Sequence, residues 1–510
     1  MDIRIQFLAF VVLLALLLKL IRSYVTLSRT KPSSALRLPP GPWQLPLIGS
    51  LHHLLLSRFS DLPHRTLREM SGTYGPLMML RFGSVPTLVV SSAKAAREVM
   101  RTHDLTFCDR NLSVTFDVFS CGGKDIIFSP YNAQWRELRK MCMIELFSQR
   151  RVLTFRSIRA EEVANLLRSI SRESADGQQP VNLSEGICRM INDVAARTVV
   201  GDRCKYRDEY MHELVEMVRL FGGFNLADLY PSSRLVRRFS AAARDARRCQ
   251  RNMYRIIQSI IHEREAMPTP ERDKDLLGVL LRLQRVGGLQ FALTDEIVST
   301  VIWDIFSAGS ESSSTILVWA MSELVKNPQV MHKAQLEVRE TFKGQDKINE
   351  GDLIKLRYLQ LVIMETLRLH APAPLLLPRE CRESCQVMGY DVPKGTKLFV
   401  NVWAIARDTK LWHDAEEFKP ERFESSSIDF RGNDFEFTPL GAGRRICPGI
   451  TLGLANLELA LASFLYHFDW ALPDGVKLEE LDMAEAFGIA LRKKSMLWIK
   501  AKPYNNFIPH

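Results

Sequence analysis

The segment with the most chemical potential is residues 439–449, which read PLGAGRRICPG. Its glycines allow the backbone to turn tightly against a flat, close neighbour. Cys447 stands just before Pro448, a residue favoured at the first helical position, and a helical pattern follows. A cysteine at a helix N-terminus beside Arg444 and Arg445 has its thiolate favoured. Cys447 is therefore predicted to be a nucleophile or a metal ligand rather than a buried cysteine in a turn.

A second polar group lies inside a long helical pattern from Asp295 to Lys326, where residues 307–315 read SAGSESSST. Glycine and serine suit a helix interior poorly, yet apolar helical sequence brackets them. Such a conflict between local propensity and overall pattern is expected at functional sites. Glu311 beside Ser312 could hold water and pass protons. The alternative is a crossing of small residues between helices, with Glu311 in solvent.

A third group is an acid and a base three residues apart on a predicted helix. Glu365 and Arg368 share one face of the helical run from Tyr358 to His370. Alone they would suit a surface pair worth a few tenths of a kcal/mol. A segment predicted to be non-helical, residues 418–423, supplies a further arginine, Arg422, between apolar residues.

The elements that must position these groups are mostly helices. Strands are predicted near residues 77–81 and 87–90, with a turn at Gly83 and Ser84, and near residues 397–402. Residues 130–380 are mostly helical in pattern, and another helix is predicted over residues 449–467. No internal repeat or linker composition divides the body of the chain. The predicted fold class is therefore mainly α with a smaller β part (α+β), in one large domain.

Composition excludes several classes of protein. The chain has 510 residues, of which 46% are hydrophobic and 25% are charged, which is typical of a folded protein and not of a disordered one. The net charge of +10 comes without a long basic block, so no nucleic-acid partner is predicted. The nine cysteines are scattered, which favours a reducing compartment over a disulfide framework.

The N-terminal residues predict a membrane anchor. Residues 7–18 form an unbroken apolar run, and five basic residues follow without an acidic one. The run approaches the length that spans a bilayer, and the basic flank should stay in the cytosol. A buried helix of the main domain is the alternative. We predict one N-terminal transmembrane helix and its basic flank in residues 1–30, a proline-rich hinge in residues 31–45 and the main domain in residues 46–510. No other stretch is predicted to span.

Together these residues resemble the cytochrome P-450 superfamily, in order and over the whole chain. The Cys447 segment is similar to the family's axial-ligand motif, and residues 308–312 are similar to its oxygen-activation motif. Glu365, Arg368 and Arg422 match its ion-pair triad, while Trp135 and Arg139 match the W-x-x-x-R of a haem-gripping helix. Short phrases around residues 367–370, 378–381 and 444–449 are similar to the plant microsomal branch of specialised metabolism. Leu440 and Ser312 depart from the family's usual Phe and Thr.

The resemblance implies the cytochrome P-450 fold and a haem-thiolate mono-oxygenase. Cys447 would be the axial ligand of haem b iron, with Gly449 also at the cofactor, and Glu311 and Ser312 would help to deliver protons. Arg445, Arg139 and Trp135 would hold the haem propionates. Electrons would come from NADPH through a separate membrane-bound reductase, with cytochrome b5 as a second candidate donor. The resemblance also implies an endoplasmic reticulum membrane protein with a cytosolic catalytic domain.

Two rival functions stay open, and so does the substrate. Some family members rearrange peroxides without oxygen or reductase, although the Glu311–Ser312 pair argues against that function. A haem-binding membrane protein without turnover is the other alternative. By family analogy the pocket-lining segments carry many aromatic and aliphatic side chains and few charges, so an apolar small molecule is expected. A terpenoid is favoured over an alkaloid, phenolic or indole-derived substrate.

Overall fold

The computed structural model describes residues 36–110, 113–201, 205–222, 225–266 and 275–504. The predicted anchor, residues 1–30, lies outside these ranges. The described part of the predicted hinge is tied to the main domain, because Met79 N–H donates to Pro40 O at 2.9 Å and Arg37 N–H donates to the Asp391 carboxylate at 2.7 Å. A Cβ at Gly41 would lie 2.0 Å from Met79 O, so only glycine fits against this strand.

Helices make up most of the described chain, as the hydrophobic periodicity predicts. In chain order they are α1 Leu51–Leu55, α2 Pro63–Tyr74, α3 Ala93–Arg97, α4 Val114–Phe119, α5 Ala133–Glu145, α6 Gln149–Thr154, α7 Arg156–Glu173, α8 Leu183–Val200, α9 Arg207–Gly222, α10 Leu226–Leu229, α11 Arg234–Phe239, α12 Ala241–Glu265, α13 Leu276–Val286, α14 Asp295–Lys326, α15 Pro328–Thr341, α16 Arg357–Leu369, α17 Val402–Ile405 and α18 Ile450–His467.

The strands form four small sheets. They are β1 Leu77–Phe82, β2 Val85–Val90, β3 Pro180–Asn182, β4 Arg379–Glu380, β5 Cys385–Val387, β6 Tyr390–Val392, β7 Lys397–Val400, β8 Phe468–Ala471, β9 Glu485–Ala486, β10 Arg492–Lys493 and β11 Trp498–Pro503. The largest sheet has the order β1-β2-β7-β4, in which β2 and β7 run parallel and Thr87 lies opposite Lys397. The others are β3-β11-β8, β5-β6 and β9-β10. The predicted α+β class is confirmed.

Helix α14 is the central element of the fold and has the bounds that the sequence predicts. It packs against α8, α12, α13, α15, α16 and α18, and nearly all of its side chains are buried. Four of its serine hydroxyls donate to the carbonyls four residues earlier, as Ser314 does to Ser310 O at 2.7 Å, and α14 continues unbroken through them. Burial on all sides therefore overrides the poor helix propensity of residues 307–315.

Two sequence predictions about local structure are wrong. Residues 420–423, predicted to be non-helical, form a short 3₁₀-helix, Pro420–Phe423, because Pro420 sets the backbone angle for its first turn. The helix after Cys447 begins at Ile450 with Gly449 as its N-cap, so Pro448 precedes the cap instead of opening the helix.

Helix α18 also corrects the prediction that only the N-terminus is long and apolar enough to cross a membrane. Within the described residues, α18 passes that test of length and composition. Its apolar side chains nevertheless lie in the largest hydrophobic core, together with residues of α8, α14, α15 and α16. Core helices of folded domains satisfy the same test, so α18 is a core element.

Candidate functional site

Cys447 lies at the end of a strained loop that the sequence builds from glycines. Gly441 and Gly443 have φ values of +75° and +66°, in the left-handed region that favours glycine. A Cβ at Gly443 would lie 2.5 Å from Met100 O, so the loop packs directly on the backbone beneath it. Cys447 N–H donates to Leu440 O at 3.0 Å, and the backbone N–H of Gly449 donates to Cys447 Sγ. The loop thus holds the sulfur just before α18.

The electrostatic surroundings of Cys447 differ from those that the sequence suggests. Burial raises the pKa of the Cys447 thiol, while the Gly449 N–H and the Arg139 guanidinium act to lower it. Arg444 turns away and pairs with Asp104 at 3.0 Å, so it does not contact the sulfur. A buried thiolate here needs a stronger positive partner, and coordination of a metal ion would supply one.

One large cavity joins the two most chemically distinctive segments of the sequence. We call it the central cavity; it holds about 1840 Å³ free of protein atoms and has Cys447 on one wall. The middle of α14 forms another wall, from Ala308 to Ser313. A Cβ added to Gly309 would meet nothing within 4 Å, which shows that α14 borders open space there. Glu311, Ser312 and Cys447 therefore share one chamber.

Four arginines line the central cavity, namely Arg110, Arg139, Arg379 and Arg445. Arg445 donates to Cys108 O at 2.7 Å and to Ser129 O at 2.6 Å, and its guanidinium carbon lies 3.9 Å from the ring centroid of Trp135. Its buried Nη1 has no hydrogen-bond partner among the described residues. Burial lowers the pKa of Arg445 to about 10, because few acidic groups offset the desolvation.

Trp135 and Arg139, the two residues of α5 that the sequence predicts at the site, differ in their contacts. Trp135 is buried and does not itself line the central cavity; its indole N–H donates to Ile126 O at 3.1 Å, and its ring lies against the guanidinium of the cavity residue Arg445. Arg139 lines the cavity and donates to Ile446 O, next to Cys447. The structure therefore places Arg139 nearer to the sulfur than Arg444 or Arg445, the two arginines that adjoin Cys447 in sequence.

Glu311 and Ser312 both line the central cavity, but their partners differ. The Glu311 carboxylate forms a two-point ion pair with Arg492 on β10. Burial acts to lower the pKa of Arg492, but the hydrogen bonds and charge of Glu311 outweigh it, and the pKa is raised. The half-buried Ser312 hydroxyl donates to Ala308 O at 2.7 Å. Its oxygen can still accept a hydrogen bond from water in the cavity.

The third predicted group comes together outside the cavity. Glu365 accepts from Arg368 Nε at 2.7 Å and from Arg422 Nε at 2.9 Å, and its side chain is fully buried. Arg368 also donates to the carbonyls of Ala406 and Ala415, at 2.6 and 2.8 Å. The three side chains join α16 to the loop that precedes the cysteine segment. The surface-pair alternative for Glu365 and Arg368 is therefore excluded.

Sequence reasoning missed four residues of this site. They are Arg110, Arg379, Arg492 and Asp304, all but Arg492 on the wall of the central cavity. Arg110 donates to three backbone carbonyls, and burial lowers its pKa well below the ordinary value, helped by the nearby charge of Arg445. An arginine in a sequence ordinarily indicates exposed surface, so only the tertiary structure could assign these residues to a buried site.

A mainly helical fold, with a cysteine that faces a large cavity shared with a long central helix, defines the class, and the comparisons with known proteins agree. The family model "Cytochrome P450" matches residues 39–499. The chain is 50% identical to dolabradiene monooxygenase of Zea mays over 506 residues, covering 98% of both chains. It is 51% identical to zealexin A1 synthase of Zea mays, covering 91% of this chain and 92% of that protein.

More distant relatives extend the comparison. Desmethyl-deoxy-podophyllotoxin synthase of Sinopodophyllum hexandrum is 46% identical, with 97% of each chain covered. A solved zebra fish cytochrome P450 structure with abiraterone superposes with a TM-score of 0.73 at 27% identity, covering 87% of this chain and all of that one. The chain belongs to the cytochrome P450 family. It is a haem-thiolate mono-oxygenase, and in this family NADPH supplies the electrons through a reductase.

Proposed function

We propose that the chain oxidises an apolar terpenoid at a haem whose iron is bound by Cys447. The observation that carries this proposal is that Cys447 Sγ and the Glu311–Ser312 turn of α14 line the same cavity. Dolabradiene monooxygenase and ent-cassadiene hydroxylase, both about half identical to this chain, support a terpenoid substrate. Aromatic and aliphatic side chains such as Phe128, Trp303 and Leu376 line the cavity and suit a hydrocarbon skeleton.

The residues of the central cavity fit a haem. Four guanidinium groups line this chamber. Arg379 is paired with Asp104 at 3.2 Å, whereas the buried Nη1 of Arg445 has no hydrogen-bond partner among the described residues and needs an anionic acceptor. Two propionates would meet this need, with Arg445 and Arg139 as the donors and Trp135 as the ring on which Arg445 rests. Gly449 would donate its N–H to the Cys447 thiolate, which favours the charged form. Haem supplies oxygen activation; Leu440 covers the sulfur on its apolar side.

Proton delivery is the task that we assign to α14. Ser312 Oγ donates to Ala308 O, so its lone pairs face the cavity and can orient a water molecule there. Glu311 would supply protons to such a water only when its carboxylate leaves Arg492, because both of its oxygens are engaged in that pair. A relay of this kind supports the mono-oxygenase function over the peroxide-rearranging alternative.

We also propose where the protein is located in the cell and which proteins supply its electrons. An N-terminal anchor in residues 1–30 would hold the chain on the endoplasmic reticulum membrane with its catalytic domain in the cytosol. Electrons would come from NADPH-cytochrome reductase, with cytochrome b5 as a second donor. The exposed Lys140 and the half-exposed Arg444 would belong to the surface that the reductase meets.

The test is the reduced, CO-bound absorption spectrum of the full-length protein. Cys447→Ala is expected to abolish the thiolate-type Soret band, because no other cysteine of the described residues borders the central cavity. Cys381→Ala and Cys385→Ala remove thiols that do not line the central cavity and should keep the band. Retention of the band in Cys447→Ala would overturn the proposal. With reductase present, NADPH consumption that depends on a terpenoid olefin would then separate turnover from haem binding alone.

A further inference from the structure

A second cavity lies against the central cavity, on the side of the β1-β2-β7-β4 sheet. It holds about 930 Å³ free of protein atoms. The two cavities share the wall residues Phe221, Ala373, Leu376, Leu377 and Ile489. The two spaces therefore adjoin, and a long molecule can extend from one into the other where these side chains move aside.

The sheet presents a lysine to this otherwise apolar space. Thr87 of β2 and Lys397 of β7 are directly paired, and both line the second cavity together with Phe399. Among the described residues, the Lys397 ammonium has no hydrogen-bond or ion-pair partner. Burial lowers the pKa of Lys397, while Asp228 and Glu380 act against that shift. An ammonium group with unused donors in a desolvated wall calls for an acceptor from a ligand.

The carboxylate of Asp228, which also lines this cavity, does not serve as that acceptor. Its oxygens already accept from Thr115 N–H at 3.3 Å, from the Thr115 hydroxyl at 3.1 Å and from the Asn225 side chain at 3.3 Å. No ion pair joins Asp228 to Lys397, and the carboxylate acts on the ammonium through its charge alone. Asp228 therefore leaves the Lys397 ammonium free to donate a hydrogen bond to a ligand.

The charges around Lys397 determine which kind of ligand oxygen can accept its hydrogen bond. One ammonium faces the fields of two carboxylates, those of Asp228 and Glu380. A ligand carboxylate would gain from Lys397 but would be repelled by both acids. A neutral hydroxyl or carbonyl oxygen accepts the same hydrogen bond without that repulsion.

From this geometry we infer that the second cavity binds the oxygen-bearing end of a terpenoid that is already oxygenated, with Lys397 Nζ donating to a neutral hydroxyl or carbonyl oxygen. The apolar skeleton extends past Phe221 and Leu376 towards Cys447. This inference rests on the proposed function and narrows its substrate class. It also implies that an earlier reaction adds the first oxygen to the hydrocarbon and so produces the substrate of this enzyme.

The experiment compares three molecules with one skeleton: abietadiene, abietadienol and abietic acid. Their affinities for the haem-loaded, full-length protein are measured by isothermal titration calorimetry in lipid nanodiscs. We expect abietadienol to bind about tenfold more tightly than abietadiene, the size of one hydrogen bond to a charged donor, and more tightly than abietic acid. Lys397→Met should remove the advantage of the alcohol and leave the affinity for abietadiene within about twofold.

Lys394→Met is the matched control, because Lys394 is exposed three residues earlier on the same segment. It should leave all three affinities unchanged. Equal binding of alcohol and hydrocarbon by the native protein would overturn the inference, as would tightest binding of the acid or an equal loss for all ligands in Lys397→Met. The reduced, CO-bound spectrum of each preparation reports the proposed haem-thiolate site separately, so a failure there is distinguished from a failure at Lys397.

Discussion

At the scale of single residues, the site depends on which polar groups the protein leaves unpaired. Arg445 has a buried nitrogen without a partner in the part of the chain that the structure describes, whereas Glu311 has both carboxylate oxygens occupied by Arg492. The unpaired donor is suited to bind a fixed anion. The paired acid is suited to release a proton only after a local rearrangement. In the proposed function, cofactor binding and proton supply would therefore have different structural requirements within one cavity.

Ser312 is the residue at which proton delivery is most directly tested. Ser312→Ala deletes one hydroxyl of the cavity wall and keeps the packing of α14. We expect product formed per NADPH to fall about tenfold to a hundredfold, at the low end of the effect of one general acid–base contact, because water can replace part of it. Product, NADPH and hydrogen peroxide are measured together, and peroxide release should rise.

The control for this experiment is Ser312→Thr, which keeps the hydroxyl and restricts its rotamers. It should retain or improve the yield of product per NADPH. Unchanged yield in Ser312→Ala would assign the relay to another group, and Ser313, which also lines the central cavity, would be tested next.

At the scale of secondary-structure elements, buried charges connect segments that are far apart in sequence. Glu365 and Arg368 on α16 reach Arg422 in the 3₁₀-helix Pro420–Phe423, and this connection supports the loop that ends at Cys447. A second buried pair, Asp125 and Asp304, connects the segment before α5 to α14. Ile126 N–H donates to Asp304 at 2.9 Å. Of the charged residues in these two groups, only Asp304 lines the central cavity.

Removal of Arg368 should be costly, because it leaves the Glu365 charge buried and deprives three backbone carbonyls of their donor. We expect Arg368→Met to destabilise the fold by about 3–5 kcal/mol. The measurement is the loss of helical circular dichroism with increasing chaotrope. Lys333→Met is the control, since it breaks a half-exposed pair with Glu421 and should change stability by no more than about 1 kcal/mol. Equal effects of the two substitutions would contradict a structural role for the triad.

The two buried aspartates predict a pH dependence of stability. Burial raises the pKa of Asp304 well above its ordinary value, and burial raises the pKa of Asp125 to about 6. The folded state therefore holds protons that the unfolded state releases above about pH 4, so the pair lowers stability as pH rises through 6. Asp304→Asn keeps an acceptor for Ile126 N–H and removes one titrating group.

Thermal unfolding of native protein and Asp304→Asn is compared at pH 5 and pH 7.5. We expect the stability of the variant relative to native protein to be higher at pH 7.5 than at pH 5. The exposed Asp117→Asn is the control and should show a difference that does not change with pH. A difference for Asp304→Asn that is also independent of pH would show that the carboxyl is ionised in the folded state.

At the scale of the whole molecule, the packed domain begins earlier than the predicted boundary at residue 46. Arg37 and Pro40 already bond to the β5-β6 and β1-β2 parts of the fold. An anchor in residues 1–30 would therefore be joined to the domain by only a few residues. Such a short connection would restrict how the catalytic domain can tilt on a membrane.

The proposed topology is tested at Asn182, which begins an Asn-Leu-Ser acceptor for glycosylation. A cytosolic domain should leave Asn182 unmodified in microsomes, so endoglycosidase treatment should not change the mobility of the protein. Asn182→Gln provides the reference mobility. A shift that disappears in Asn182→Gln would place the domain in the lumen. The other acceptor, at Asn111, lies outside the described residues.

The sequence by itself predicted most of the elements and singled out the residues whose chemistry the proposed function uses. Periodicity predicted the bounds of α14, and local composition identified Cys447, Glu311 and the Glu365–Arg368 pair, because these signals depend on residues within one or two helical turns. Trp135 and Arg139 needed the family resemblance, since nothing local distinguishes them from other helical residues.

Only the tertiary structure decided which charged groups meet. The contacts of Arg445 with Cys108 and Ser129, of Glu311 with Arg492 and of Asp125 with Asp304 join residues about 180 to 340 positions apart. Burial and electrostatic pairing over such separations depend on how helices pack, which no local pattern contains. The second cavity could not be predicted from the sequence for the same reason. Lys397 is placed to contact a ligand only because β7 lies beside β2 and Phe221 closes the wall.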